Sequence, residues 1–501
     1  MADILLINPK NIGALNFDSM PPLGLASIGC VLEQKGFSVK LLDLEITPEN
    51  LDISAYISNC SPKVIGLSGT SMSRFESFKI ANIAKKISSK INTVYGGCHA
   101  TFTAEDTLSH ISDIDYIVHG EGEMAFLELA NFLILKEGTI ETIKGISFKK
   151  EGKIIKNTSR ERISNLDDLS YSRHLLEMKK YNTKLEFLNL PAISIMTSRG
   201  CPYNCNFCSA SAMFGTVYTM RSAKHVVDEI EYCINNFNIK GIKFFDSTMT
   251  LEKKHVLAIA KEIKSRKITL PWECEIRVNT VDRPLLEAMK EAGCYYVNFG
   301  VESVSEKVLE AMGKNINIRQ VIDTLKWCKE LNIKTKVFFT FGHIKETWRD
   351  ALKTIKFINE HFNDISKLAI SYGIRIYPGT RLEKYARQTG LLPQSFSWSM
   401  PISTNIFSYD TIPILIQSNF GTREIEGIKE KIRWINLSRK SNFKEYFRKY
   451  RPQNIFNKLK DGKSFLDISA YALKRLLEIC KVMIKILTRK RNNNLQRCLF
   501  W

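Results

Sequence analysis

The sequence predicts an α/β protein: an N-terminal doubly wound parallel sheet, then a partial (β/α)6 barrel, then a basic, mainly helical C-terminal region. Three observations predict it. Short apolar runs alternate with segments of helical period through residues 1–145, and again, more regularly, through residues 191–392. Polar and glycine-rich clusters follow the ends of those runs, where parallel sheets keep their ligands. The charge is lopsided: of a net +20, residues 423–501 hold 21 Lys and Arg against 7 Asp and Glu, or +14.

In the first array Ile4–Ile7 is an apolar run, and Leu23–Lys35 has helical spacing that stops at Gly36. Val39–Leu44 and Val64–Ser68 are the next strands, followed by a helix over Phe75–Ile91 and strands over Thr93–Tyr95 and Tyr116–Val118. Glycines gather at the strand ends: Gly66 to Gly69, Gly96-Gly97-Cys98-His99-Ala100, and His119-Gly120-Glu121-Gly122-Glu123. Residues 146–190 read as a linker that holds a charged hairpin near Lys149–Lys153 and an aromatic-rich stretch with Tyr181 and Phe187.

The second array gives six strand–helix repeats. Strands are expected at Ile193–Thr197, Gly241–Phe245, Trp272–Ile276, Tyr295–Phe299, Lys334–Phe341 and Ala369–Ile376. Helices are expected at Ala223–Asn236, Lys253–Ser265, Arg283–Ala292, Ile318–Leu331 and Thr347–His361. Right-handed crossovers would close such repeats toward a barrel with its chemistry at the strand C-terminal ends.

Between the first strand and first helix of this array lies Thr197-Ser-Arg-Gly-Cys201-Pro-Tyr-Asn-Cys205-Asn-Phe-Cys208. Clustered thiolates are soft ligands that select zinc or iron–sulfur centres. Structural zinc takes four closed ligands, usually as two separated pairs. A lone CxxxCxxC group suits a cluster that keeps one iron open. A chance group or a partial zinc site is the plainer alternative. Cys233, Cys274, Cys294 and Cys328 stand singly and read as small buried apolar residues. Twelve cysteines in 501 residues, with no secretory leader or long apolar span, point to a reduced, cytoplasmic, metal-binding protein.

The CxxxCxxC group with Phe207 before its last cysteine resembles the radical SAM superfamily. That resemblance implies that Cys201, Cys205 and Cys208 hold a [4Fe–4S] cluster whose fourth iron binds S-adenosylmethionine. It also implies cofactor contacts at Phe207, at Asp246 near the SAM amine, and at Arg277, Glu302 and Ser303 near its carboxylate and ribose. Asp246 and Glu302 could instead be helix N-caps, and Arg277 an ion-pair partner. Where the family often has a second acidic residue, this chain has Ser247. Gly342-His-Ile-Lys-Glu346-Thr and Tyr377-Pro-Gly-Thr380 recur in the cobalamin-dependent branch.

The first array resembles the cobalamin-binding domain that precedes many radical SAM enzymes, through Pro21-Pro-Leu-Gly24, Gly96-Gly-Cys-His-Ala-Thr101 and Gly120-Glu-Gly-Glu123. It implies cobalamin contacts at Gly69, Gly96, Gly97, Gly120 and Glu121. The Asp-x-His-x-x-Gly pattern that supplies a cobalt ligand elsewhere is missing. His99 and His119 are the local candidates, without that context, so the resemblance implies no protein histidine on cobalt. The whole is similar to the class B radical SAM methyltransferases and to the anaerobic magnesium-protoporphyrin monomethyl ester cyclase and hopanoid methylase group.

What this implies is SAM cleavage, modification of an unactivated carbon of a small-molecule substrate, for which the basic aromatic tail suggests a lipid-like one, and methyl transfer through methylcobalamin. A flavodoxin- or ferredoxin-type protein would donate the electron. A radical cyclase without methyl transfer and a non-catalytic cobalamin or SAM sensor remain as alternatives. A methylthiotransferase ranks low, because Cys30, Cys60 and Cys98 are scattered. In the tail, Leu473–Leu487 has a leucine-rich face and a face with Lys474, Arg475, Lys481 and Lys485. It suits either peripheral contact with the inner membrane surface or a plain surface helix. No nucleic-acid motif accompanies the charge.

Overall fold

A computed structural model describes residues 2–11, 19–169, 173–401, 408–409, 412–418 and 420–437. The chain forms two compact units, residues 1–346 with 363–421, and residues 347–362 with 422–501. The helix expected at Leu473–Leu487 lies outside the described residues, as does the segment Phe443–Pro452, which is rich in aromatic and basic residues.

The larger unit opens with β1 (Ile4–Asn8), α1 (Leu23–Gln34), β2 (Val39–Asp43), α2 (Ile53–Cys60), β3 (Val64–Ser68), α3 (Arg74–Ile87) and β4 (Asn92–Gly96). It continues with α4 (Cys98–Phe102), α5 (Ala104–His110), β5 (Tyr116–Val118), α6 (Gly122–Ala130), β6 (Ile146–Lys150) and β7 (Lys153–Lys156). The sheet order is β2-β1-β3-β4-β5-β6-β7. The first five strands are parallel, and the hairpin adds antiparallel at the edge. The charged hairpin that the sequence assigns to a linker is therefore part of this sheet. Its buried Ile146 and Phe148 join the core shared by α1 and α6. Strand period sorts the rest: Ile4 and Leu6 enter that core, while Leu5 and Ile7 enter the core under α2, α3 and α5. Strand order reverses between β1 and β3, so their carboxyl ends flank a crevice.

The second array runs β8 (Ile193–Ile195), β9 (Ser198–Arg199), α7 (Ser209–Phe214), β10 (Thr219–Met220), α8 (Ala223–Phe237), β11 (Ile242–Phe244), α9 (Lys253–Ser265), β12 (Trp272–Glu275) and α10 (Arg283–Glu291). Next come β13 (Cys294–Glu302), α11 (Glu306–Met312), α12 (Ile318–Glu330), β14 (Lys334–Phe341), α13 (Trp348–Glu360), β15 (Lys367–Tyr372) and α14 (Arg381–Gln388). Six parallel strands form an open sheet in the order β15-β14-β13-β12-β11-β8. Caps set the helix starts: Ser222 accepts from His225 N ahead of α8, and Asn317 with Gln320 makes a capping box on α12.

The last strand sits earlier than the apolar pattern places it. Gly373, at φ +98°, ends β15, and Ile374 and Ile376 bond instead to Leu415 and Pro413. The linker's buried Arg173 donates to Glu229 and to Ser194 O, and Arg221 donates to the other Glu229 oxygen at 2.6 Å. This pins the start of the second sheet.

In the smaller unit α13 packs against α15 (Thr422–Leu437), with Trp348 close over Gly427. Thr347 and Asp350 form a capping box at the start of α13. No helix among the described residues is long and apolar enough to cross a membrane.

Candidate functional site

The cysteine loop leaves β9 through Gly200, whose φ of +97° and close approach to Val217 O exclude a side chain. Cys205 is buried; Cys201 and Cys208 are half-buried. The end of α11 and the start of α14 hold the loop between them. Asn206 donates to Met312 O and Ala311 O at 2.8 and 2.9 Å and accepts from Leu382 N at 2.8 Å. Burial pushes the Cys201 and Cys208 thiols up, and ligation by iron reverses that preference. No group of three or more His, Cys, Asp or Glu among the described residues is set around a single ion. Thiolates of a polynuclear cluster bind separate irons, so a CxxxCxxC loop does not need that closer grouping.

Around this loop the strand ends supply two buried polar atoms without partners. Asp246, after β11, accepts three hydrogen bonds on Oδ1, from Thr197 N, Thr197 Oγ1 and Ser198 Oγ, at 2.6 to 3.0 Å. Its Oδ2 has no partner, and burial pushes the carboxyl up to about 6. Arg277, after β12, lies 3.8 Å over the Tyr203 ring. It donates to Lys314 O at 2.8 Å and reaches Cys205 Sγ at 3.9 Å, while its Nε has no partner. A spare buried acceptor and a spare buried donor beside the cysteine loop fit a ligand that carries both an ammonium and a carboxylate, as the amino-acid end of S-adenosylmethionine does.

Glu302 is committed differently. A register shift between Gly300 and Glu302 and a φ of +66° turn its side chain against Lys314 Nζ at 3.1 Å and Thr340 Oγ1 at 2.8 Å. A side chain at position 300 would collide with this pair. Neither Asp246 nor Glu302 is a helix cap. Ser303 is fully buried and its Oγ accepts from Ser305 N at 3.2 Å. Phe207 packs on the Ile374, Ile376 and Leu382 cluster and against the His343 ring. His343 is buried with neither ring nitrogen partnered, and burial lowers it to about 4.

At the carboxyl edge of the first sheet a cavity of about 190 Å³ is walled by Gly24, Gly96, Gly97, Gly120, Glu121 and Gly122, with apolar Leu25, Val94 and Phe126. Met196, Arg199 and Phe214 close it from the second array. A Cβ at Gly24 or Gly120 would meet no atom within 4 Å, so glycine keeps this space open. Such a slot fits an apolar, flat group. Gly69 is not in the lining. It donates to Gly96 O at 2.8 Å and lies against the Tyr95 ring, so its smallness serves packing.

The Glu121 carboxylate faces protein. It accepts from Arg199 at 2.9 Å and from Ile163 N at 2.8 Å, while Arg199 also donates to Glu123 at 2.7 Å. Sequence reading missed Arg199, Glu123, Lys314 and Thr340. Arg199, two before Cys201, and Glu123, at the end of the Gly120-Glu-Gly-Glu123 motif, had a local signal.

A second cavity opens beside the first. Asn11, Thr70, Ser71, Cys98 and His99 line it from the first sheet, and Ser209 and Tyr377 from the second array. His99 is buried, with Nδ1 2.9 Å from Ser71 Oγ, and Nε2 has no partner. His119 uses both ring nitrogens, on Thr101 O and Ser147 Oγ.

Two parallel sheets turn their carboxyl edges toward a shared space, one with a glycine slot and the other with a three-cysteine loop. Residues 195–358 match the Radical SAM superfamily, and residues 14–130 match the B12 binding domain family. An uncharacterised methyltransferase of Pyrococcus horikoshii is 35% identical over 85% of this chain and 91% of its own length. The anaerobic magnesium-protoporphyrin IX monomethyl ester cyclase of Rubrivivax gelatinosus is 26% identical over 73% of this chain and 67% of its own. The radical S-adenosylmethionine methyltransferase TsrM of Kitasatospora setae, solved with cobalamin and a [4Fe–4S] cluster, superposes with a TM-score of 0.66 at 21% identity, over 78% of this chain and 79% of its own.

The chain belongs to the cobalamin-binding radical SAM enzymes. It is a cobalamin-dependent radical SAM enzyme, and its cofactors are a [4Fe–4S] cluster, S-adenosylmethionine and cobalamin.

Proposed function

We propose that this enzyme transfers a methyl group to an unactivated carbon of a small molecule. The observation that carries the proposal is that both arrays wall both cavities, with Met196, Arg199, Met213 and Phe214 from either side of the cysteine loop closing the glycine slot. When bound, cluster and SAM supply a radical that takes hydrogen from the substrate, and cobalamin supplies the methyl group. Cys201, Cys205 and Cys208 hold the cluster. Asp246 Oδ2 receives the SAM ammonium and Arg277 Nε its carboxylate, while Ser303 and the Glu302–Lys314 pair shape the ribose side. Gly96, Gly97, Gly120 and Glu121 bear on cobalamin. Residues 1–145, extended by the hairpin to Lys156, are the cobalamin domain in this proposal, and residues 191–392 the SAM domain.

The chain's own part is to position ligands and exclude water. Arg199 bridges the cysteine loop to Glu121 and Glu123, so it fixes the slot against the cluster side. A flavodoxin- or ferredoxin-type donor supplies the electron. The basic tail rests on an anionic membrane surface, a proposal supported by its charge alone.

The test uses methyl-labelled SAM with the cofactor-loaded full chain under anaerobic, reducing conditions. Methyl transfer yields S-adenosylhomocysteine and labelled cobalamin alongside 5′-deoxyadenosine. Deoxyadenosine without either would replace methyl transfer by the cyclase chemistry of the Rubrivivax relative. No deoxyadenosine at all would favour a sensor.

A further inference from the structure

Helix α7 starts directly after the third cysteine and, at six residues, spans about 9 Å. Its far end, Met213 and Phe214, walls the glycine slot. One short helix thus joins the cysteine loop to the slot. The front of the loop is held through Asn206 by α11 and α14. The back, residues 209–217, receives side-chain donors on its backbone from one residue among those described. That residue is Arg162, in the segment between the two arrays.

The Arg162 guanidinium spreads over both strands that flank the loop, β9 and β10. Nη1 donates to Phe214 O at 3.2 Å and to Val217 O at 2.5 Å. Nη2 donates to Thr219 Oγ1 at 3.1 Å and to Arg199 O at 3.4 Å. The guanidinium carbon lies 5.1 Å from the centre of the Phe214 ring. On the other side Nε stands 3.6 Å from Glu121 Oε2, and the neighbouring Ile163 N donates to the same oxygen at 2.8 Å. Gly200 leaves room for this fork, because a Cβ there would stand 2.9 Å from Nη1. A lysine, with its donors on one point, could not serve acceptors on both strands.

We propose that Arg162 is a positioning residue for methyl transfer: by seating Phe214 it sets the separation between the cysteine loop and the slot. The proposal rests on the reading that cobalamin occupies the slot and takes its methyl group from SAM. In that step the C–S bond of the sulfonium breaks as cobalt(I) gives its electron pair to the methyl carbon, and S-adenosylhomocysteine leaves. Such a displacement needs close alignment, and a misplacement of about 1 Å can cost about a hundredfold. Reductive cleavage of SAM to 5′-deoxyadenosine draws its electron from the cluster and involves no group in the slot. Loss of Arg162 therefore separates the two reactions, whereas loss of a cysteine removes both.

The test compares the full-length wild type with Arg162→Ala, each reconstituted with iron–sulfide and given cobalamin in excess. The first readout needs no turnover. It is the magnetic coupling between the reduced cluster and cobalt(II), seen by electron paramagnetic resonance. Wild type is expected to show one defined coupling, and Arg162→Ala a weakened or spread one. The second readout uses methyl-labelled SAM. Labelling of cobalamin should fall about ten- to a hundredfold in the variant, with 5′-deoxyadenosine formation kept. Guanidinium ion, at a concentration too low to unfold the protein, should restore the labelling, and ammonium should not. Unchanged coupling and labelling overturn the proposal. So does an equal fall in both reactions, which makes Arg162 a support of the fold alone. If Arg162→Ala fails to hold iron and cobalamin, Arg162→Lys, which keeps a cation beside Glu121 without the fork, is judged by the same two readouts. A wild type that forms deoxyadenosine and never labels cobalamin overturns the methyl-transfer reading itself, and this proposal with it.

Discussion

Arg199 donates to Glu123 Oε1 at 2.7 Å, and both side chains are buried. The pair joins the residue two before the first cysteine of the loop to the start of α6, beside the glycine slot. Glu123 is further held by Ser27 Oγ at 2.8 Å, and Glu121 takes the other arm of the guanidinium. One cation therefore ties the cobalamin side to the cluster side, with no solvent to soften its loss.

Removing the guanidinium leaves Glu123 only the Ser27 hydroxyl, and leaves Glu121 to Ile163 N and the more distant Arg162 at 3.6 Å. Arg199→Met is expected to cost about 3–5 kcal/mol. The thermal midpoint of the variant, measured beside Arg199→Lys, checks this. A midpoint unchanged from wild type would show that the carboxylates find other partners.

Cys205 is the buried member of the three thiols and touches both Arg277 and Gly313 O. Cys205→Ala is expected to lose most of the iron bound after reconstitution and all SAM cleavage. Iron and sulfide analysis on the purified variant checks it. A full complement of iron would remove Cys205 from the ligand set.

The Asp246 carboxyl is raised by burial from 3.8 to about 6. A raised carboxyl favours the protonated folded state. Its stabilising contribution is complete below about pH 4 and is lost as pH rises through about 6, a change of roughly 2–3 kcal/mol. Asp246→Asn keeps an acceptor for Thr197 and Ser198 and removes the titration. The stability of Asn relative to wild type in the cofactor-free protein should therefore improve between pH 4.5 and 7.5. A difference that does not change with pH would contradict it.

Gly96 has ordinary contacts at 3.8 Å where a Cβ would stand, so a larger side chain there turns into the slot. Overpacking of this kind costs about 1–3 kcal/mol, so Gly96→Leu should weaken cobalamin about ten- to a hundredfold and leave reconstituted iron unchanged. Equilibrium binding of hydroxocobalamin measures it. Unchanged affinity would place the cofactor elsewhere.

The tail should bring the full chain down with anionic vesicles and not with neutral ones, and added salt should release it. Sedimentation with phosphatidylglycerol vesicles checks this. Equal recovery with both compositions would leave the charge without a membrane role.

Much of the fold was legible in local pattern. The central strands of both sheets fell where apolar runs met turn residues, Gly36 ended its helix as expected, and the helix expected at Arg283–Ala292 stops before Gly293. The errors have physical causes. Ile374 and Ile376 look like strand, and they are extended, but they bond to a later segment of the chain. The helix at Gly122–Ala130 was hidden because two glycines sit at its start. The β6–β7 hairpin looks like a linker because its tip, Lys149-Lys-Glu-Gly-Lys153, is mostly charged, while Ile146 and Phe148 are buried.

The site was half legible. The cysteines stand out by their spacing, while Asp246, Arg277 and Glu302 come from the family resemblance, each at or just after the end of a strand of the second array. The partners of Arg277 and Glu302 were not legible, because Lys314 and Thr340 come from distant parts of the chain. Glu121 was found by its motif, but its carboxylate serves Arg199, 78 residues away.

The central claim is that the cysteine loop and the bound cofactors form one reaction centre. The most direct measurement is 5′-deoxyadenosine formed by the full chain, loaded with iron–sulfide and cobalamin, given SAM and a strong one-electron reductant without oxygen. The account predicts deoxyadenosine from wild type and none above background from Cys205→Ala. Equal yields from the two proteins, or none from a wild type shown to carry its cluster, would contradict it.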